Sequence, residues 1–142
     1  EYLNSGKTVG FITLGDPTVY STYMYVHKLI LEDGFEAEII SGVTSFCAAA
    51  ARLNISLAER AEMLHVVPSS HGIEKALDMP GTKVLMKAGS KMALVKEKLL
   101  NPEMNVMMVE NCGMDTERVF RSASEIPENA GYFSLIIAKD RK

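Results

Sequence analysis

The feature that most constrains the fold is an alternation of short apolar runs with amphipathic stretches along all 142 residues. This alternation is typical of α/β layering, in which helices cover a sheet. The apolar runs predict strands at residues 9–14, 35–40, 64–67, 84–86, 106–109, 119–121 and 133–138. The amphipathic stretches predict helices at residues 19–33, 45–53, 73–79 and 91–100.

The opening of the chain predicts a strand–helix–strand unit. Residues 9–14 (VGFITL) form a nearly continuous apolar run, as expected of a buried parallel strand. Residues 19–33 carry apolar side chains at helical spacing, namely Val19, Tyr23, Val26 and Ile30. Gly34 is a suitable helix stop, because glycine adopts a positive φ without a Cβ clash. Residues 35–40 then form the second strand.

The later part of the chain predicts a different sheet. The strands at 119–121 and 133–138 have no long helix between them, which favours antiparallel pairing at that end. We therefore expect residues 1–41 to be the end of a parallel-sheet N-terminal α/β domain, followed by a mixed-sheet α/β C-terminal domain at 42–142. The chain lacks an initial Met and soon enters a core strand, so we also expect it to be a fragment.

Composition excludes several classes of protein. Apolar residues make up 47% of the chain, but no run reaches the roughly 18 residues that cross a bilayer. The net charge is −3 with Lys and Arg scattered, which gives no support to a nucleic-acid interface. We interpret Cys47 and Cys112 as buried thiols in a reducing compartment, the cytoplasm. His27, His65 and His71 lack metal-ligand spacing, so we expect no protein-bound metal.

The loop at residues 15–22 (GDPTVYST) is the strongest local motif. It joins a predicted strand to a helix, where ligands collect in open α/β sheets. Gly15 lets a ligand approach the backbone, Pro17 fixes the turn, and Asp16 offers a carboxylate. The alternative is a tight turn with Asp16 as a helix N-cap.

A second motif occupies residues 41–51 (SGVTSFCAAAA). Gly42 follows a predicted strand, and Thr44 or Ser45 can cap the next helix. The alanines allow that helix to pack closely on a flat surface, either a sheet or a ligand. Taken alone, the segment is more typical of a cap and a buried helix.

The ordered set of segments resembles the tetrapyrrole methylase family. The segments are G-D-P-T-V-Y-S-T, G-V-T-S-F-C-A-A-A-A-R-L, L-A-E-R, V-L-M-K-A-G, E-N-C-G-M-D-T-E-R-V and Y-F-S-L-I-I-A. They are most similar to the branch that methylates carbon 20 of precorrin-2 or cobalt-factor II. The resemblance implies S-adenosylmethionine as cofactor, a tetrapyrrole substrate in corrin-ring synthesis, and a homodimer.

The resemblance also implies site residues. The cofactor pocket would be lined by Leu14, Gly15 and Asp16 with Val19 nearby, Thr44 and Ser45, either Lys87 or Ala88, and Cys112 against the adenine. We expect these four segments to converge on one cleft. Tyr20 or Asp16 would relay the proton that leaves carbon 20. A basic rim for the substrate carboxylates would come from Arg52, Lys87, Lys91 and Arg118, although each fits an ordinary solvated charge as well.

Two departures from the family pattern stand out. Ser41 occupies the position where relatives usually have Pro, and the Gly-x-Gly-Pro-Gly loop of the first strand is lacking. We therefore expect this stretch alone to be inactive. Two alternatives remain open: another branch of the family with a different methyl acceptor, or a non-catalytic α/β binding or dimerisation module whose motif residues are only turns and caps.

Overall fold

The computed structural model describes residues 1–68, 72–88 and 92–141. The chain divides into two compact units, Glu1–Ser45 and Phe46–Lys142. The division into domains at residues 41 and 42 stays a prediction.

The first unit contains a short 3-10 helix (Leu3–Ser5) and one α-helix, α1 (Tyr23–Glu32). The strands predicted at residues 9–14 and 35–40 are wrong, because neither segment forms a ladder within this fully described unit. An apolar run becomes a strand only when a neighbouring strand accepts its backbone hydrogen bonds. The side chains of Ile12 and Ile40 are instead 97% and 81% exposed.

Helix α1 begins four residues later than the periodicity of its apolar side chains predicts. Tyr20 has a φ of +53°, which lies in the left-handed region and interrupts a right-handed helix. The helix starts only after this residue, where the Ser21 hydroxyl accepts a hydrogen bond from the Tyr23 amide at 3.2 Å.

The end of α1 agrees with the sequence. Gly34 has a φ of +81°, and its amide donates to the Leu31 carbonyl at 3.0 Å. The Phe35 amide donates to the Ile30 carbonyl at 3.1 Å. These two bonds form a Schellman motif, which satisfies carbonyls that the helix leaves free.

The second unit is a five-stranded mixed sheet with helices, as predicted. Its strands are β1 (Leu64–Pro68), β2 (Thr82–Met86), β3 (Met104–Glu110), β4 (Arg118–Phe120) and β5 (Ser134–Asp140). Its helices are α2 (Ser45–Leu53), α3 (Ile73–Leu77) and α4 (Met92–Leu99), with a 3-10 turn at Ala123–Glu125.

The strand order is β1-β2-β5-β3-β4. Strands β1 and β2 are parallel and joined through α3, whereas β2–β5, β5–β3 and β3–β4 are antiparallel. The expected antiparallel end is therefore present, although β4 and β5 each pair with β3 rather than with each other.

The helices cover both faces of this sheet, so its central strand β5 is buried on both sides. On one face, α2 packs through Ala49, Ala50 and Leu53 against Val84, Val109, Leu135 and Ile137. On the other face, α3 and α4 pack against Leu85, Met108, Ile136 and Ala138. The predicted stripe of α4 is confirmed, because Met92, Val95 and Leu99 are at most 1% exposed.

Two details of α2 bear on the sequence predictions. The alanines at 49 and 50 pack on a sheet, which was one of the two surfaces expected for them. Cys47 lies on the exposed side of the same helix, so its prediction as a buried thiol is wrong.

Among the described residues, no helix is both long and apolar enough to cross a membrane.

A buried lysine marks the edge of the sheet where β2 begins. Lys83 is 1% exposed, and its Nζ donates to the Asp140 carboxylate at the end of β5. Asp140 also accepts a hydrogen bond from the Gly81 amide at 2.8 Å. Burial alone would raise the pKa of Asp140, but the bonds from Lys83 and Gly81 outweigh it and hold this pKa below its usual value.

We predict that Asp140→Ala lowers the free energy of unfolding by about 2 kcal/mol, because it leaves a buried ammonium group without its partner. Adding Lys83→Met should restore most of the loss, since an apolar side chain then replaces the unpaired charge. Urea denaturation followed by circular dichroism measures both variants. Equal stability of the single and double variants would contradict the prediction.

The same carboxylate predicts a pH dependence. Its pKa is lower in the folded protein than the ordinary 3.8. Its contribution to stability is therefore complete above about pH 4 and is lost as the pH falls through the folded pKa. Below pH 4, the free energy of unfolding of Asp140→Ala should fall less steeply with decreasing pH than that of the parent. Parallel plots of this free energy against pH, from urea denaturation, would contradict the prediction.

Candidate functional site

The side chain of Asp16 joins the two glycine-containing loops of the first unit. Its residue is only 9% exposed. One carboxylate oxygen accepts hydrogen bonds from the Thr18 amide, at 2.8 Å, and from the Thr18 hydroxyl. The other oxygen accepts a bond from the Gly42 amide at 2.9 Å, across 26 residues of chain. The loop at 15–18 and the loop at 41–44 are thus fixed to each other.

The two loops also meet through their backbones. A Cβ atom added to Gly42 would lie 2.2 Å from the Gly15 carbonyl oxygen, so a side chain cannot fit at Gly42. Gly15 itself has a φ of +76°, a conformation that favours glycine. Both glycines are therefore required by the geometry of this junction.

The hydrogen bonds to Asp16 keep it ionised. The Thr18 hydroxyl has the largest effect and, with the Thr18 and Gly42 amides, lowers the pKa of Asp16 despite the opposing effect of burial. The interpretation of Asp16 as the N-cap of the next helix is wrong. Helix α1 begins at Tyr23, and the carboxylate of Asp16 instead closes its own turn and binds Gly42.

Thr44 supplies an unusual polar atom beside this junction. Within residues 1–68, 72–88 and 92–141, its Oγ1 is the one buried side-chain oxygen or nitrogen that has no hydrogen-bond partner. The hydroxyl of Thr44 therefore does not cap α2. Leaving such a group unpaired costs about 1–3 kcal/mol, which a ligand with a complementary atom would recover. This orphaned hydroxyl fits the predicted role of Thr44 in holding a cofactor.

The other site residues predicted for the first unit lie close in sequence to these two loops. Leu14 is 75% exposed and Tyr20 is 52% exposed. Val19 is half-buried, and its amide donates to the Asp16 carbonyl at 3.2 Å. Ser45 is the first residue of α2. The positive φ of Tyr20 is rare for a residue with a side chain, and such conformations cluster at functional sites.

In the second unit, the alternatives Lys87 and Ala88 differ in environment. Ala88 is 1% exposed and belongs to the core under α4, so its methyl group faces the protein interior. Lys87 is exposed and has a φ of +58°. Its Nζ lies 5.8 Å from the centre of the Tyr132 ring, within cation–π range. Of the two side chains, only that of Lys87 is available to a ligand.

Cys112 lies at the same edge of the sheet as Lys87. Strands β2 and β3 both run antiparallel to β5, so their carboxyl ends flank the start of β5 at Ser134. Cys112 follows β3 and packs against the cluster that contains Phe46 of α2. Burial raises the pKa of its thiol, and the charge of Glu117 adds to this effect.

The proposed basic rim is largely neutralised by neighbouring carboxylates. Arg52 pairs with Glu117, and Arg118 pairs with Glu110, which is 3% exposed. These pairs support the interpretation of both arginines as ordinary structural charges. Lys91 lies outside the described residues, as do His71 and Gly89.

The link from Asp16 to Gly42 is the feature that the sequence interpretation missed. The bond from the Thr18 amide could have been predicted, because an Asp side chain commonly accepts a hydrogen bond from the amide two residues later. No pattern in the sequence indicates the long-range bond from the Gly42 amide. That Gly15, Thr44, Ala88 and Cys112 line one cleft stays a prediction.

The sequence of this chain is similar to those of known methyltransferases. The model of the tetrapyrrole (corrin/porphyrin) methylases matches residues 1–127. The chain is 37% identical, over 98% of its length, to the "Probable cobalt-precorrin-2 C(20)-methyltransferase" of Methanocaldococcus jannaschii, of which it covers 62%. It is 33% identical, over 95% of its length, to the cobalt-precorrin-2 C(20)-methyltransferase of Salmonella typhimurium, of which it covers 60%. The chain thus spans about three fifths of these relatives.

Solved structures show the same fold. A cobalt precorrin-4 methyltransferase superposes with a TM-score of 0.81 at 21% identity, covering 96% of this chain and 66% of that one. The uroporphyrin-III C-methyl transferase of Thermus thermophilus in complex with S-adenosylhomocysteine gives 0.66 at 21% identity, with 88% and 62% covered. By its family match and its similarity to these proteins, the chain belongs to the tetrapyrrole methylases.

Proposed function

We propose that the protein containing this chain transfers a methyl group from S-adenosylmethionine to carbon 20 of precorrin-2 or cobalt-factor II, in the assembly of the corrin ring. The observation that carries the proposal is the orphaned Thr44 hydroxyl beside the Asp16–Gly42 junction. The names of the relatives support the choice of substrate, since two are cobalt-precorrin-2 C(20)-methyltransferases and a third, from Sinorhizobium, is a precorrin-2 C(20)-methyltransferase.

The cofactor would be held mainly by backbone groups and one hydroxyl. Thr44 Oγ1, which is buried without a hydrogen-bond partner among the described residues, would exchange a hydrogen bond with it. Gly15 has no side chain, so a ligand would approach its exposed backbone in the turn that Asp16 closes, whereas the space beside Gly42 is occupied by the Gly15 carbonyl. Leu14, Val19 and Ser45 would complete this wall, and Lys87 and Cys112 would contact the adenosine. We also propose a cytoplasmic homodimer, as in the family that the chain resembles.

The methyl-transfer step itself does not require strong acid–base catalysis. S-adenosylmethionine supplies an electrophilic methyl group on a sulfonium, and carbon 20 of the macrocycle supplies the electron pair. The residues of the chain hold the two reactants about 3–3.5 Å apart and in line, an effect worth roughly 7–11 kcal/mol. Excluding water from the site also favours a transition state in which the sulfonium charge is being neutralised.

One proton must leave carbon 20 after the transfer. The two candidates were Asp16 and Tyr20. All three hydrogen bonds to Asp16 come from Thr18 and Gly42, and its low pKa makes it a weak base, which supports a structural role. Tyr20 is half-exposed in a strained conformation. We therefore propose the Tyr20 hydroxyl as the group that relays the proton.

Thr44→Val tests the cofactor site in the full-length protein. The exchange keeps the shape of the side chain but removes the hydroxyl, so the affinity for S-adenosylhomocysteine should fall about tenfold. The free energy of unfolding should stay the same or rise by up to about 1 kcal/mol, because an unpaired polar atom is lost. Calorimetry and urea denaturation measure the two effects.

The matched control is Thr8→Val, at an exposed position of the same unit. It should change neither quantity. An unaltered affinity in Thr44→Val would remove Thr44 from the cofactor site. Absence of binding in the parent protein at high micromolar ligand would instead favour the non-catalytic binding or dimerisation module.

Tyr20→Phe tests the proton relay. Turnover of precorrin-2 by the full-length enzyme should fall about 10²-fold with little change in KM, because the loss is confined to proton transfer. Tyr25→Phe, an exposed tyrosine on α1, is the control and should retain full turnover. Steady-state kinetics with both substrates varied gives the comparison, and wild-type turnover in Tyr20→Phe would exclude this residue.

A further inference from the structure

The turn after β3 is held by backbone and side-chain hydrogen bonds. Asn111 and Gly113 both have positive φ values, +52° and +78°. The Met114 amide donates to the Asn111 carbonyl at 3.0 Å, and the Asn111 side-chain amide donates to the Thr116 hydroxyl at 3.1 Å. Cys112 lies between the two positive-φ residues, so its orientation is set by this turn.

Glu117 connects the turn to helix α2. One carboxylate oxygen accepts a hydrogen bond from the Gly113 amide at 2.9 Å. The other pairs with Nε of Arg52 in the last turn of α2. The Glu117 side chain is 16% exposed and that of Arg52 is 54% exposed. A salt bridge this exposed contributes little stability by itself, so the pair is better explained by the geometry that it fixes.

The carboxylate also acts on the thiol of Cys112. The two groups are hydrogen-bonded, and the bond and the negative charge both add to the effect of burial in raising the pKa of the thiol. The positive charge of Arg52 opposes them. The pKa of Cys112 is therefore sensitive to the charge of Glu117.

We propose that Glu117 is a positioning residue of the cofactor site, whose carboxylate ties the turn at residues 111–116 to α2 and thereby fixes the face that Cys112 presents to the adenine. The inference rests on the proposed function, because the contact between Cys112 and adenine comes from the family resemblance. Arg52 shares this role through its ion pair with Glu117 rather than binding substrate carboxylates.

Glu117→Gln and Glu117→Ala test the proposal in the full-length protein. The Gln variant keeps the size of the side chain, but its amide cannot accept from both Gly113 and Arg52. Affinity for S-adenosylhomocysteine, measured by calorimetry, should fall about tenfold in Glu117→Gln and further in Glu117→Ala. The control is Glu125→Gln, whose carboxylate accepts a bond from the Arg121 amide at 2.9 Å in another loop of the same unit. It should bind as the parent does.

A second readout tests whether the Glu117 carboxylate lies beside the thiol of Cys112. Removing the charge of Glu117 lowers the pKa of Cys112, so more thiolate is present at pH 8 and its alkylation by iodoacetamide should be several-fold faster. Peptide mass spectrometry resolves Cys112 from the exposed Cys47, which should react at an unchanged rate. The urea midpoint of Glu117→Gln should match that of Glu125→Gln.

The outcomes are distinguishable. Unchanged affinity and unchanged Cys112 alkylation in Glu117→Gln would overturn the proposal while leaving the proposed function intact. An affinity loss matched by a lower urea midpoint, with Cys112 alkylation unchanged, would assign Glu117 a structural role only and also overturn it. If the parent protein bound no S-adenosylhomocysteine, the proposed function would fail, and the positioning role at a cofactor site would fail with it.

Discussion

The contact on which the first unit most depends is the hydrogen bond from the Gly42 amide to the Asp16 carboxylate. Residues 1–45 form no strand ladder, so backbone pairing does not hold their loops together. Asp16 performs this task with three donors from two segments that are far apart in sequence. The absence of a side chain at Gly42 then allows the backbone to approach the Gly15 carbonyl. This carboxylate therefore links the loop that carries Thr44 to the loop at residues 15–18.

The sequence predicts the second unit far better than the first, for a physical reason. Its helices and strands bury one face or both, so their apolar spacing is visible in the residues themselves. Helix α2 has the predicted bounds of 45–53, and the stripe on α4 is buried as expected. The strand order could not be predicted, because the insertion of β5 between β2 and β3 depends on pairing between distant segments. In residues 9–14 and 35–40 the apolar pattern is present but no pairing partner is, and strands do not form.

The candidate site shows a similar division. The importance of Gly15 and Gly42 could be predicted because a constrained backbone requires glycine, and glycine is visible in the sequence. The partner of a charged side chain cannot be read from the sequence, since it depends on the tertiary structure. Arg52 and Arg118 looked like candidates for substrate binding, yet each lies against a glutamate. The choice between Lys87 and Ala88 was likewise open in the sequence and stays a prediction, although the Ala88 side chain belongs to the core and that of Lys87 is exposed.

The hydrogen bonding of Asp16 also has a consequence for the proposed chemistry. A free carboxylate beside a sulfonium would stabilise the charged ground state more than a transition state that is losing its charge. Asp16 is ionised, but one of its oxygens faces two donors from Thr18 and the other faces the Gly42 amide. Its negative charge is therefore compensated by hydrogen bonds from two amides and one hydroxyl of the protein. Under the proposed function, an acidic residue beside the sulfonium is then compatible with catalysis, since the carboxylate binds the two loops to each other.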